Sequence, residues 1–257
     1  MPEYQYPLDS APECPAGPGA YGPAPPLDAG RSLEFAKPLA RALNVASIVI
    51  GVWGTIYPRP YALVITLLAL LPWMAMALGL GFPSLLRLAG NKSERTPNVA
   101  LSLVFPALIL AVRGADHQLL SFAQGAWLAL PGAIAFCLPA ILIDASARRK
   151  GLAVVLILFA AAGYGYGSGT HANALMDRSP ARQYFVRVTE KHVFYGRRHR
   201  SYRFWLEPWG PQQTPSLVNV SYSLYHQTAV GDNVCVTLRS GAFNVPWYFV
   251  RGCNSPR

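Results

Sequence analysis

Gly151 to Gly169 reads GLAVVLILFAAAGYGYGSG, and Ala181 to Lys191 reads ARQYFVRVTEK. The first stretch carries no charge over nineteen residues, within the about 17–25 that a helix needs to cross a bilayer. In the second, Tyr184, Val186 and Val188 alternate with Arg187, Thr189 and Lys191. A period of two gives one apolar and one wet face, which is the pattern of a strand. The chain therefore passes from a membrane helix into a β-domain between Gly169 and Ala181.

Four more apolar runs precede this pair: Ala42 to Tyr57, Tyr61 to Leu80, Pro97 to Val112 and Leu119 to Ile143. Positive charge alternates in step with them. Arg31, Lys37 and Arg41 precede the first run, Arg87, Lys92 and Arg95 follow the second, and Arg148, Arg149 and Lys150 follow the fourth. On the other side stand only Arg59 and Arg113. Cytoplasmic loops carry the excess of Lys and Arg, so nine against two puts the amino terminus inside and everything after Gly169 outside. The expected architecture is an α+β membrane protein. It has a disordered proline-rich tail over 1–36, five transmembrane helices over 37–170, and an extracytoplasmic β-barrel over 171–257.

Composition agrees with a membrane class. The 257 residues are 52% hydrophobic and 13% charged, with a net charge of +10. Residues 1 to 30 hold eight prolines and four glycines, too little apolar area to offset the entropy of ordering. With Tyr4, Tyr6 and Tyr21 the same stretch also reads as a docking tail. It lacks the basic start and apolar run of a signal peptide, so the first run reads as an uncleaved anchor.

Pro72 interrupts the second run, and Pro106, Pro131 and Pro139 interrupt the third and fourth. Proline inside a spanning helix frees a carbonyl and kinks the helix, and broken helices mark some transport sites. A small transporter or channel subunit built on helices 2–4 is therefore one reading, and kinks absorbed by neighbouring helices are the other. No charged residue lies deep within a run, which disfavours a proton-coupled pump. Pro83 to Ala89 reads as a short interfacial helix. Gly163 with Gly167, and Gly165 with Gly169, form two overlapping GxxxG pairs suited to close helix packing, within the chain or between copies. Tyr164 and Tyr166 suit the outer interface.

In the last domain Tyr202, Phe204 and Leu206 alternate with Arg203, Trp205 and Glu207. Further strand-like runs are Leu217 to Ser221, Val234 to Leu238 and Trp247 to Arg251, with a helical turn at Tyr222 to Gln227. Five short strands with one turn of helix before the fourth fit a small OB or SH3-like β-barrel. Cys235 and Cys253 flank the last hairpin. Pairing about Asn244 sets them opposite one another on one face, in a compartment where disulfides persist. Closing that loop stabilises the domain by roughly 3 kcal/mol on the chain-entropy model.

Arg187, Lys191, Arg197, Arg198, Arg200 and Arg203 gather in the first hairpin, with His192 and His199 and only Glu190 opposing. From His171 onward eleven Lys and Arg against four Asp and Glu leave +7. Phe194, Tyr195, Tyr202 and Trp205 are interleaved with these cations, a combination that also suits nucleic acid. The extracytoplasmic location argues against that partner. The expected contact face is Arg197, Arg198, Arg200, Arg203 and Trp205, meeting membrane lipid or a protein partner, and the plain alternative is a solvated loop.

Catalytic signatures are missing: there is no GxSxG, HExxH, P-loop or paired-carboxylate motif. His171, His192, His199 and His226 lack ligand spacing, so neither a metal nor a cofactor is expected. Asp116 and His117 form a compact polar pair in the short loop after Arg113 and read as a loop and helix cap, and Asp144 reads as the end of the fourth run.

The stretches that carry a resemblance are Asn173-Ala-Leu-Met-Asp-Arg-Ser-Pro180, Val186-Arg-Val188 with Lys191, Trp209-Gly-Pro211, Gly231 to Val236, and Gly241 to Tyr248 followed by Cys253, taken as one set. It resembles a group of uncharacterised multi-span proteins of proteobacteria whose external part is similar to small β-domains of the DUF3592 type. The resemblance implies an inner-membrane location and a periplasmic domain, and carries no catalytic residue. The combined expectation is a non-enzymatic inner-membrane protein, amino terminus cytoplasmic, whose periplasmic β-domain binds a partner or the membrane surface.

Overall fold

The computed structural model describes residues 29–81, 98–143, 151–196 and 200–253. Five helices come first: α1 (Ala29–Ile56), α2 (Tyr61–Gly81), α3 (Ala100–Gly114), α4 (Phe122–Ile143) and α5 (Gly151–Leu175). Four contain segments long and apolar enough to cross a membrane: Lys37–Ile56, Tyr61–Gly81, Ala123–Leu142 and Gly151–Leu175. The fifth, α3, has only 15 residues. At 1.5 Å per residue it covers about 22 Å, less than a hydrocarbon core of about 30 Å. It begins at Ala100, whose amide donates to the Asn98 side-chain oxygen at 2.7 Å. Helix α1 starts at Ala29, inside the stretch assigned to the tail. Residues 1–28, the expected helix at Pro83 to Ala89, and Asp144 lie outside the described residues.

Arg113, at the end of α3, donates to the carbonyls of Gly54 and Thr55 at 2.8 and 2.6 Å, closing the last turn of α1. Helix α3 packs against α1, α2 and α5, and α4 packs mainly on α5. The interior is apolar, built from side chains such as Val64, Leu68, Leu110 and Phe136. Outside, α4 exposes Trp127, Leu130, Ile134, Leu138 and Leu142 in a stripe, the arrangement expected where lipid is the solvent.

The prolines do not break these helices. Pro72, Pro106, Pro131 and Pro139 all lie inside continuous α2, α3 and α4. Beside Pro72 the helix is tied to α5: the Tyr164 hydroxyl donates to the Ala69 carbonyl at 2.9 Å and accepts from Trp73 Nε1 at 2.6 Å. Tyr164 is accordingly buried between helices rather than placed at the outer interface.

The alternating glycines of α5 divide between two neighbours. A Cβ on Gly165 would run into the Ala129 carbonyl, and one on Gly169 into the Leu128 carbonyl, both on α4. A Cβ on Gly167 would strike the Leu110 carbonyl of α3, and Gly163 faces Ala111 of the same helix. These faces are filled from within the chain, so they are not free to join a second copy.

A six-stranded antiparallel sheet follows, in the order β1-β6-β5-β2-β3-β4, curled into a half-barrel. Its strands are β1 (Gln118–Leu119), β2 (Arg182–Tyr195), β3 (Arg200–Leu206), β4 (Ser216–Val220), β5 (Asn233–Arg239) and β6 (Trp247–Gly252), with the short helix α6 (Tyr222–Gln227) after β4. The strand beyond the expected five is β1. It comes from the loop between α3 and α4 and pairs with Trp247 and Tyr248 of β6. Val186, Val188, Phe204, Leu206, Val218, Val234 and Val236 form the core inside the curl.

Cys235 and Cys253 form a disulfide, with Cα atoms 4.9 Å apart. The register is slipped by two residues from pairing about Asn244: Cys235 lies opposite Arg251, and Cys253 is its diagonal neighbour on the same face. Parity is preserved, and parity is what brings the two side chains together. Cys137, partly buried in α4, is free.

Candidate interaction surface and helix-to-sheet junction

The β2–β3 hairpin projects beyond its neighbours. Strand β5 pairs with β2 only as far as Arg187, and β4 pairs with β3 only from Tyr202. Phe194, Tyr195, Arg200 and Ser201 therefore form a two-stranded ribbon on their own. Its aromatics are exposed, Phe194 at 45% and Tyr195 at 75%. Arg200 lies 5.3 Å from the Tyr195 ring centre and Arg203 lies 4.3 Å from that of Phe194, distances at which a ring attracts a cation. Arg203 also keeps its buried Nε without a hydrogen-bond partner. Arg197, Arg198 and His199 lie outside the described residues.

The three expected contact residues that are described do not share one face. Strand alternation puts Arg203 and Trp205 on one side of β3 and Arg200 on the other, beside Tyr195. A bulge between Val188 and Glu190 also reverses the alternation of β2. Lys191 consequently pairs with Phe204 on the inner face. There its Nζ donates to the carbonyls of Tyr225 and Thr228 at 2.6 and 2.7 Å, and packs 4.3 Å from the Tyr225 ring centre. Lys191 thus anchors α6 and is not part of the basic surface. His192 is held by Glu190 at 2.8 Å.

Where α5 meets the sheet, two side chains one turn apart hold the β5–β6 loop. Asn173 donates through Nδ2 to the Val245 carbonyl at 2.8 Å and accepts the Phe243 amide at 3.0 Å. Asp177 accepts from Trp247 Nε1 at 2.9 Å, the Gly241 amide at 3.0 Å and the Ser179 amide at 2.7 Å. Gly241 has φ +77, and a side chain there would collide with the Val245 carbonyl and with Asn173. Burial alone would raise the Asp177 pKa. The hydrogen bonds from Ser179, Trp247 and Gly241 outweigh it, holding the carboxyl below its ordinary value.

Beside this clamp lies a polar knot that the sequence pattern did not reveal. The Tyr61 hydroxyl, at the start of α2, is 3.1 Å from Asp116 Oδ2, 3.5 Å from His117 Nε2 and 3.3 Å from His171 Nδ1. One hydroxyl proton serves these contacts, so the other partners donate to the Tyr61 oxygen or share it. Arg113 reaches Asp116 at 3.4 Å. The His117 ring stands edge-on to His171 and Trp247. Burial lowers the His117 pKa, against the opposing pull of the Asp116 carboxylate. His171, 1% exposed, makes no hydrogen bond of ordinary geometry through Nε2, although the Leu110 carbonyl is near. Among the described residues no group of three His, Cys, Asp or Glu is arranged to hold a metal. The arrangement ties α2, α3, α5 and β6 together.

Asp116 and His117 were visible as a polar pair. Their partners Tyr61 and His171 come from distant segments that carry no local signal. Comparison with family models, with curated proteins and with solved structures gave no match.

Proposed function

We propose that this chain is a non-enzymatic inner-membrane protein, with a cytoplasmic amino terminus, whose periplasmic β-domain binds a partner or the membrane surface through the β2–β3 hairpin. The five-span count, the kinship of the half-barrel to OB or SH3-like barrels, and membership of the proteobacterial group named above belong to the same proposal. The observation that carries it is the projecting ribbon. Arg200 and Arg203 stand over exposed aromatics, with no carboxylate partner among the described residues. Cations held this way are pre-organised for an anionic surface. The junction supports the reading as well, because a domain fixed by β1, Asn173 and Asp177 presents its hairpin at a set orientation. The prolines lie within continuous helices, which supports this reading over a transporter built on broken ones.

The test is affinity capture of the full-length protein from native membranes, with anionic-vesicle binding in parallel. Loss of a defined partner, or of vesicle binding, in an Arg200→Gln, Arg203→Gln variant supports the proposal. Capture and vesicle binding both unchanged in that variant contradict it. Ligand-dependent flux in proteoliposomes would favour the transporter.

A further inference from the structure

A pocket of about 470 Å³ lies on the outer face of the sheet, beside the segment that joins α5 to β2. Its floor is a row of three paired residues, Gln183 on β2, Thr237 on β5 and Phe249 on β6. Arg239 lies two residues along β5 on the same face, and Arg251 lies two residues along β6 in the opposite direction. The two guanidinium groups therefore flank the floor from both ends. Ser179 completes the wall.

Three features of this pocket call for an anion. No carboxylate lines it among the described residues. Arg239 makes only a long contact, 3.4 Å to the Asp177 backbone carbonyl, and Arg251 rests 4.5 Å from the Phe249 ring centre with no acidic partner among the described residues. Thr237, 2% exposed, has a buried hydroxyl without a hydrogen-bond partner, a state that is costly unless an acceptor arrives. Arg178 and Arg182, exposed in and just after the linker, add to the positive field.

We propose that this pocket binds a phosphate group. A tetrahedral oxyanion offers enough acceptors for two guanidinium forks, a hydroxyl and the Gln183 amide together. The pocket begins two residues past Asp177, just beyond the end of the apolar α5, which is the level of the headgroups if α5 spans the bilayer. The phosphate comes from a phospholipid headgroup or from a soluble phosphate. The site is separate from the β2–β3 hairpin and does not rest on it.

The test uses the full-length protein in an uncharged detergent, titrated calorimetrically with inorganic phosphate and with a short-chain phosphatidylglycerol. Gln183→Glu places a carboxylate between the two arginines at an exposed position, so it blocks an anion without disturbing the core. We expect saturable binding of at least one probe, weakened about tenfold or more by Gln183→Glu and by the double change Arg239→Gln, Arg251→Gln. Arg200→Gln, Arg203→Gln should bind as the parent does, which separates this site from the hairpin. Binding of phosphatidylglycerol alone identifies a headgroup, and binding of inorganic phosphate identifies a soluble anion. Should the double variant fail to fold, Gln183→Glu decides. No binding of either probe, or parental affinity in Gln183→Glu, overturns the proposal.

Discussion

Trp247 Nε1 donates to Asp177 Oδ2 at 2.9 Å, joining residues 70 positions apart. One belongs to β6, and the other lies two residues past α5. The bond is buried, and the same carboxylate oxygen also accepts the Gly241 amide. An ionised acceptor shared by buried donors is among the stronger arrangements available to a fold. It sits where a membrane bundle hands over to a β-domain.

Replacing Asp177 with Ala should lower stability by about 2–4 kcal/mol, because three donors lose one charged acceptor. Thermal unfolding of the full-length protein, followed by tryptophan fluorescence, measures this. The pH dependence has a definite sign. The folded carboxyl titrates below its unfolded value, so its contribution is present above about pH 4 and is lost as pH falls through the folded pKa. The Asp177→Ala protein should lack that acid-dependent loss, and an unchanged acid profile would show that the clamp is not the titrating group.

The glycines of α5 should respond unequally. Gly165→Ala and Gly167→Ala place a methyl against backbone of α4 and α3, at a cost of about 1–3 kcal/mol each. Gly163→Ala meets the Ala111 methyl at 3.4 Å and the Ala107 carbonyl at 3.6 Å, both ordinary contacts, and should be nearly neutral. Melting temperatures of the three variants in one detergent rank them, and equal effects would contradict the assignment of Gly165 and Gly167 to close backbone contacts.

For Cys235 and Cys253, mass spectrometry of non-reduced protein should find one joined peptide pair, with Cys137 open to alkylation. Reduction should lower the stability of the β-domain by roughly 3 kcal/mol. If both thiols are alkylated in freshly isolated membranes, the bond does not form there.

Local patterns carried the helices, β2 to β6 and the parity of the two cysteines, because these depend on periods of residues close in sequence. The rest depends on contacts or on single-residue shifts. Strand β1 is two residues long and has no period to detect. Lys191 moved from the wet face to the inner one because a single bulged residue reverses alternation, and nothing before it marks the bulge. Tyr164 resembles an interfacial aromatic until α2, distant in sequence, supplies Ala69 and Trp73 as partners for its hydroxyl. Asn173 and Asp177 stood in a quoted motif, but their role needs the β5–β6 loop folded back on α5.

The account depends most on which side of the membrane the sheet occupies. Strand β1, from the α3–α4 loop, lies in the same sheet as β6, so that loop and the β-domain share one side. On the proposed reading, in which the nine-to-two asymmetry of Lys and Arg marks the cytoplasmic side, that side is the periplasm. Topology reporters fused after Asn91 and after Arg257 test this directly. The account predicts a cytoplasmic signal at Asn91 and a periplasmic signal at the carboxy terminus; a cytoplasmic carboxy terminus would contradict the span count, the location of the disulfide and the exposure of the hairpin to the periplasm.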